Sequence, residues 1–218
     1  MTARAGELDV AFRAFVEDPS FSCLAGRGVV RQGNHELREY GALGSGDSSA
    51  TLARDLQRWI QRSVPGEMRA FVAVFPERPA EDELEFEGAL WRELQQLHEH
   101  DASDAKWDPR VSDDPADPDF AFSFAGMALF VIGLHPASSR IARRFVAPAL
   151  VFNPHEQFDK LREDGRFERM KSVVREREIA LQGSLNPNLA DFGEASEARQ
   201  YSGRETERDW KCPFHPSA

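Results

Sequence analysis

The chain has 218 residues, 16 of them Phe and 4 of them Trp, and its formal net charge is -10. This length and apolar content suit one folded domain over residues 1–218 and exclude a disordered chain. The acidic excess opposes contact with a phosphate backbone, so we expect no nucleic-acid partner, whereas a small cationic substrate would be attracted.

No apolar run approaches the roughly 20 residues that span a bilayer, and residues 1–9 lack the apolar core of a signal peptide. We therefore expect a cytoplasmic protein with no membrane partner. The two cysteines, Cys23 and Cys212, are too few for a disulfide framework. Each thiol is expected to be buried, reactive or bound to a metal.

In the N-terminal half, apolar residues at helical spacing predict three helices, which cover Leu8–Val16, Leu52–Ile60 and Leu84–Leu97. The second of them should stop by Pro65-Gly66. Short strands are predicted at Val29-Val30 and Glu36–Tyr40, and a buried strand at Arg69–Phe75.

The segment Asp101–Asp119 is rich in Asp and Pro and is predicted to form a loop or lid. Three strands should follow it, over Phe120–Phe124, Met127–Leu134 and Ala149–Phe152. Asn153 and Pro154 predict the N-cap and first position of a helix, and Gly165 should divide the helical pattern in two. No repeat, βαβ rhythm or nucleotide-binding glycine motif is present, so the predicted fold class is α+β with a central mixed β-sheet flanked by helices.

The first candidate site is His135, which follows the predicted strand Met127–Leu134. An imidazole at a strand end can ligate iron, and Arg140, Arg143 and Arg144 are near enough in sequence to pair with the two propionates of a haem. The alternative is a hydrogen-bonded structural histidine beside arginines that form ordinary ion pairs.

The second candidate site is the C-terminal pair Cys212 and His215, because thiolate and imidazole both bind first-row metals. A structural zinc ion needs four ligands, so a zinc site would also require His135 or another distant group. No Cys-x-x-Cys-His motif is present, which excludes the usual covalent attachment of haem. The third candidate is the polar stretch 182–204, which is either a binding loop or a solvated connector.

Six segments of the sequence resemble the YqcI/YcgG family, and the resemblance covers most of the chain. They are Phe21–Gly26, His135–Arg140, Leu150–Phe158, Arg175–Pro187, Gly193–Arg204 and Trp210–His215. The resemblance implies a haem b held without a covalent link. It also implies a monooxygenase that N-hydroxylates a guanidine-type nitrogen of a small amino-acid-derived substrate, with O2 and an external electron donor or with peroxide.

A buried guanidinium requires a carboxylate, and Asp191, Glu194 and Glu197 on the polar stretch are the candidates for it. The alternative functions are a haem carrier or sensor without catalysis, and a zinc hydrolase. The substrate, the electron donor and the oligomeric state, homodimer included, stay open.

For the iron ligand we prefer His135 over Cys212, because a strand end is a more rigid support than a chain terminus. A thiolate from Cys212 would favour cleavage of the oxygen-oxygen bond, which argues the other way. His215 and His155 are the remaining candidates.

Overall fold

The computed structural model describes residues 6–19, 21–64, 66–101 and 105–216. Within these ranges the chain forms seven α-helices, one short 3-10 helix and five strands. They are α1 (Glu7–Glu17), α2 (Leu24–Arg31), β1 (His35–Glu39), α3 (Gly46–Gln61), β2 (Ala70–Val74), α4 (Glu83–Asp101), β3 (Phe122–Phe124), β4 (Met127–Leu134), the 3-10 helix (Ile141–Arg143), β5 (Ala149–Pro154), α5 (Glu156–Glu163), α6 (Phe167–Gln182) and α7 (Ala198–Tyr201). The described residues contain no helix that is both long and apolar enough to cross a bilayer.

The five strands form one mixed sheet in the order β1-β2-β5-β4-β3. β1 and β2 are parallel, and the other three pairings are antiparallel. Alternate residues of β2 pack in opposite directions: Phe71 joins the core formed with α3 and α4, whereas Val72 joins the core formed with α1 and α2. The period-2 pattern of a strand covered on both faces explains this division. The predicted α+β class with a central mixed sheet is confirmed.

The strand predicted at Val29-Val30 is wrong, because both residues lie in α2. Cys23 is the N-cap of this helix, and its Sγ accepts a hydrogen bond from the N–H of Gly26 at 3.4 Å. Val29 and Val30 are both 3% exposed and pack against α1 and the sheet. Tertiary burial of one helix face therefore outweighs the strand preference of two adjacent β-branched residues.

The predicted helix start at Asn153 and Pro154 is also wrong, since both residues end β5. The Asn153 side-chain amide donates to the carbonyls of Phe130 and Val151, so it caps no helix. His155 is the N-cap of α5, and its backbone N–H donates to Ala128 O at 2.9 Å. The predicted break at Gly165 is confirmed, with a φ of 67° between α5 and α6. Three other expectations depend partly on residues outside the described ranges: the lack of a signal peptide on residues 1–5, the helix stop on Pro65, and the loop Asp101–Asp119 on residues 102–104.

Glu93 is a buried acid at the contact between α4 and the loop before α3. It is 0% exposed, its Oε2 accepts the Gly44 N–H at 2.8 Å, and its Oε1 forms no hydrogen bond. Burial raises the pKa of this carboxyl from 4.5 to about 7. The folded protein therefore holds the proton more tightly than the unfolded chain does. The resulting stability is fully present below pH 4.5 and is lost as the pH rises through about 7.

We expect Glu93→Gln to raise the free energy of unfolding by about 2 kcal/mol at pH 8 and to change it little at pH 4.5, because the amide replaces an acid whose ionisation opposes folding. Urea unfolding at both pH values measures the effect. Glu99→Gln, on the exposed side of the same helix, is the matched control. Equal effects of Glu93→Gln at the two pH values would contradict the expectation.

Candidate functional site

Helix α6 covers a cavity instead of packing into a core. None of its 16 residues is buried. Phe167, Met170 and Val174 from α6 face a cavity of about 200 Å³ that is also lined by aromatic side chains of β4, α5 and the following polar stretch. We call it the α6 cavity and define its apolar walls by Phe130, Phe158, Phe167, Met170, Val174 and Phe192.

Polar contacts hold α6 in this position. The Nζ of Lys171 lies 2.6 Å from an oxygen of Asp191, and the guanidinium of Arg140 lies 2.8 Å from Glu178. Gly165 and Gly183, at the two ends of the helix, both have positive φ. A helix fixed mainly by ion pairs between two glycines can shift at a lower cost than one embedded in the core.

Four of the segments that the sequence singled out meet at the α6 cavity. They contribute Cys23 and Ala25, then His155 and Phe158, then Arg175, and finally Glu197 and Gln200. These segments are far apart in the chain, and their convergence on one apolar space is the strongest indication of a functional site in the structure.

Glu197 is the centre of a buried polar cluster beside the cavity. It is 3% exposed, and its Oε1 accepts a hydrogen bond from the Tyr201 hydroxyl at 2.7 Å. Its Oε2 lies 3.5 Å from Nε2 of His155. Burial raises the pKa of Glu197 and raises that of Tyr201 well above its ordinary value. A buried acid with two titratable neighbours at the wall of an apolar cavity is typical of functional sites.

The structure separates the three acids predicted to bind a guanidinium. Asp191 lines the cavity but is already paired with Lys171 at 2.6 Å and Arg175 at 3.6 Å. Glu194 is exposed and accepts the backbone N–H of Asp191. Glu197 is the one of the three that is buried at the cavity wall, and the contact of its Oε2 with the described side chains is the long one with His155. Glu197 is therefore the acid best placed to receive a cation in this cavity.

Cys23 lines both the α6 cavity and a smaller apolar cavity of about 70 Å³ that contacts α1, α2 and the sheet. Its position at the N-terminus of α2 gives the sulfur a backbone N–H donor, while burial raises the pKa of the thiol. Cys23 supplies a thiol and His155 an imidazole to the lining of the α6 cavity. The sequence analysis expected Cys23 to be buried, reactive or bound to a metal but did not name it as an iron ligand, because a strand was predicted at Val29-Val30 in place of the helix that Cys23 caps.

His135 lies elsewhere, at the end of β4. Its residue is 0% exposed, and its ring stacks on Phe86 with the centroids 4.2 Å apart. Neither ring nitrogen has a hydrogen-bond partner in the part of the chain that the structure describes, and burial lowers the pKa of the imidazole to about 4. The ring lines neither the α6 cavity nor the C-terminal groove described below.

The three arginines predicted to pair with propionates are occupied by protein acceptors. Arg140 donates to Glu178 and Ser184 and so fastens the C-terminal end of α6. Arg143 donates to the carbonyls of Gly133, Gln200 and Tyr201. Arg144 donates to the carbonyls of Ser138 and Ser139. Within the described ranges, only Arg143 of the three bonds to a strand, and other cations, Arg162, Lys171 and Arg175, line the α6 cavity.

Cys212 and His215 line a surface groove of about 700 Å³ between the loop 113–118 and the C-terminal segment, which we call the C-terminal groove. Burial raises the pKa of the Cys212 thiol to about 12, and His215 is exposed. Across the described residues, no three His, Cys, Asp or Glu side chains are clustered to hold a metal ion. The zinc site that would combine this pair with His135 is therefore not assembled in the described part of the chain.

The model of one protein family, described as the YqcI/YcgG family, matches residues 12–215 of the chain. No curated protein and no solved structure matches it.

Proposed function

This chain belongs to the YqcI/YcgG family, and we propose that it is a haem-dependent monooxygenase that N-hydroxylates a guanidine-type nitrogen of a small amino-acid-derived substrate. Within the family it resembles the haem-dependent pre-guanitoxin N-hydroxylase, so the proposed reaction belongs to natural-product biosynthesis. The observation that carries the proposal is the convergence of four family-like segments on the α6 cavity, which joins apolar walls, a thiol, an imidazole and a buried carboxylate.

The residues of the α6 cavity fit a haem by their chemistry. Aromatic and aliphatic side chains suit the macrocycle, and Arg162, Lys171 and Arg175 would suit its propionates once these replace the present partners, Asp159 for Arg162 and Asp191 for the other two. The volume of about 200 Å³ is below the roughly 300–1,000 Å³ of ligand pockets, so binding requires α6 to move away from the sheet. Because none of the residues of α6 is buried, this movement has a low cost in free energy.

In this proposal Cys23 holds the iron. The N–H of Gly26 and the N-terminus of α2 offset part of the burial that raises the pKa of this thiol, and a bound iron would hold the sulfur in its thiolate form. When bound, the haem would supply the activated oxygen that a guanidine nitrogen does not obtain from ground-state O2, with electrons from an external donor or from peroxide.

The remaining roles fall to side chains of the cavity wall. Glu197 would orient the guanidinium through its Oε2, while Tyr201 holds the other oxygen of the same carboxylate. His155, whose Nε2 lies 3.5 Å from Oε2 of Glu197, would exchange a proton with this carboxylate. Phe130, Phe158 and Val174 exclude water from the reacting nitrogen.

Titration of the purified protein with hemin tests the site. We expect one hemin per chain, a strong Soret band and complete extraction by acidic solvent, because no covalent link is formed. Val174→Trp fills the cavity and should weaken hemin binding at least tenfold, whereas Ile179→Trp, half exposed on the same helix, should not. Folded protein that takes up no hemin would overturn the proposal, and equal binding by both variants would place the haem elsewhere.

The ferrous carbonyl complex identifies the iron ligand. A thiolate opposite carbon monoxide moves the Soret band far to the red of the position given by an imidazole, and we expect the red-shifted band. Cys23→Ser should abolish that band, while Cys212→Ser and His135→Ala should retain it. An imidazole-type band that disappears in His155→Ala would identify His155 as the ligand. A red-shifted band that is lost in Cys212→Ser would restore the prediction of Cys212, and an imidazole-type band that is lost in His135→Ala would restore the prediction of His135.

A haem carrier or sensor is the second candidate, because the same cavity would serve it. The buried Glu197 favours the enzyme. A protein that only carries haem needs apolar side chains against the macrocycle, whereas a cationic substrate needs a carboxylate at the same wall.

A further inference from the structure

Three oxidisable aromatic side chains lie in a row between the α6 cavity and the C-terminal groove. The rings of Tyr201 and Trp91 are stacked, with centroids 5.7 Å apart and planes inclined by 26°. The rings of Trp91 and Trp210 follow at 6.2 Å. Tyr201 is 0% exposed and Trp91 is 2% exposed, whereas Trp210 lines the groove at the surface. The row therefore runs from the interior to solvent through rings in contact.

The inner end of the row is connected to the α6 cavity in two ways. The ring of Phe130, a wall of the cavity, lies 5.9 Å from the ring of Tyr201. The Tyr201 hydroxyl donates a hydrogen bond of 2.7 Å to Glu197, which also lines the cavity. A phenol loses an electron easily only if its proton has an acceptor, and Glu197 is such an acceptor.

Trp210, at the outer end of the row, lies beside a positive charge. The guanidinium of Arg199 lies over the Trp210 ring, 5.3 Å from its centroid. This positive charge raises the reduction potential of the indole, because it opposes removal of an electron from the π system. An electron vacancy on Trp210 is filled readily by a reductant in the groove, and this step must draw the relay forward, because the same charge makes Trp210 a weaker electron donor to Trp91.

We propose that Tyr201, Trp91 and Trp210 form a relay that carries single electrons from the surface at the C-terminal groove to the α6 cavity. Tyr201 gives one electron to an oxidant in the cavity and its phenolic proton to Glu197. Trp91 then reduces the tyrosyl radical, which recovers its proton from Glu197, and Trp210 reduces Trp91. A one-electron donor at the groove restores Trp210, so the electron and the proton are both balanced.

The role of the relay rests on the proposed function, because the oxidant in the cavity would be the haem that this function requires. Its existence does not, since the ring contacts belong to the protein alone. In the alternative, the three rings only fill the core, and their order has no redox consequence. Oxidation from the surface, in protein without hemin, distinguishes the two.

The experiment uses a photo-oxidised ruthenium polypyridyl complex in solution as the oxidant and freeze-quench electron paramagnetic resonance as the readout. The chain has two tyrosines, Tyr40 and Tyr201, so a Tyr40→Phe background leaves Tyr201 as the single source of a tyrosyl signal. A vacancy made at Trp210 should pass through Trp91 to Tyr201, since the phenol can transfer its proton to Glu197.

We expect a tyrosyl radical that falls at least fivefold in Trp91→Phe and in Trp210→Phe. Trp59→Phe, which changes a tryptophan outside the row that makes an edge contact with Phe71 and lies under the guanidinium of Arg69, should keep the signal. Trp210 is only partly buried, so Trp210→Phe tests the relay even if Trp91→Phe unfolds. Equal tyrosyl yields in folded wild type and Trp210→Phe would overturn the relay. Because hemin is absent, failure of hemin binding leaves this result unaffected.

Discussion

Glu197→Gln should lower the rate of guanidine N-hydroxylation on the order of 100-fold while hemin stays bound. The amide keeps the size of the side chain and can still accept the hydrogen bond of Tyr201, but it removes the charge that pairs with the substrate. Charge-assisted hydrogen bonds at a buried site contribute about 2–3 kcal/mol, which corresponds to this loss. Product formation by the hemin-loaded protein, followed by mass spectrometry, measures the effect.

Asp191→Asn and Glu194→Gln are the matched controls, because both acids lie on the same polar stretch. Asp191 is paired with Lys171 and Arg175, and Glu194 is exposed, so each variant should retain activity within about threefold. A large loss in Asp191→Asn with none in Glu197→Gln would show that the wrong acid was assigned. Loss of hemin itself in Glu197→Gln would mean that Glu197 supports the cofactor through His155.

Arg204→Met should lower the free energy of unfolding by about 3–5 kcal/mol, because it leaves a buried carboxylate without its partner. Arg204 and Glu87 are 8% and 7% exposed, and the guanidinium donates to Oε2 of Glu87 at 2.8 and 3.1 Å. Ser202 donates to the other oxygen of Glu87. The pair joins the segment after α7 to α4, and so holds Tyr201 near Trp91. Urea unfolding of the apoprotein measures the change.

The double variant Arg204→Met with Glu87→Leu is the control for the cause of this loss. If the unpaired carboxylate is responsible, removing it as well should recover at least half of the lost stability. If the double variant is as unstable as Arg204→Met, the loss comes from packing of the arginine stem instead.

The periodic elements of the fold could be predicted from the sequence, since the strands of the sheet and the longer helices follow local apolar patterns. The two errors, at Val29-Val30 and at Asn153, both concern residues whose state is decided by distant partners. Val29 packs on α1 and the sheet, and Asn153 donates to a carbonyl of β4. Neither contact is visible in a window of neighbouring residues.

The position of the candidate site could be predicted only in part. His135 does follow a strand, but Phe86 from α4 covers one face of its ring. The residues next to His135 in the sequence do not predict this contact. The three acids of the polar stretch look equivalent in sequence, and only burial beside Tyr201 distinguishes Glu197. The motifs behind the family resemblance were better guides, because Cys23 and His155 both belong to such motifs and both line the α6 cavity.

The most direct measurement is the mass of guanidino substrates after incubation with the hemin-loaded protein under ¹⁸O2 and a chemical reductant, with free arginine and agmatine as probes. The proposed function predicts a product heavier by one oxygen atom from O2, formed only with hemin and only when the α6 cavity is open, so that Val174→Trp makes little of it. Protein that binds hemin with a full Soret band but leaves every guanidine unchanged, with O2 and reductant or with peroxide, would contradict it and favour a haem carrier or sensor.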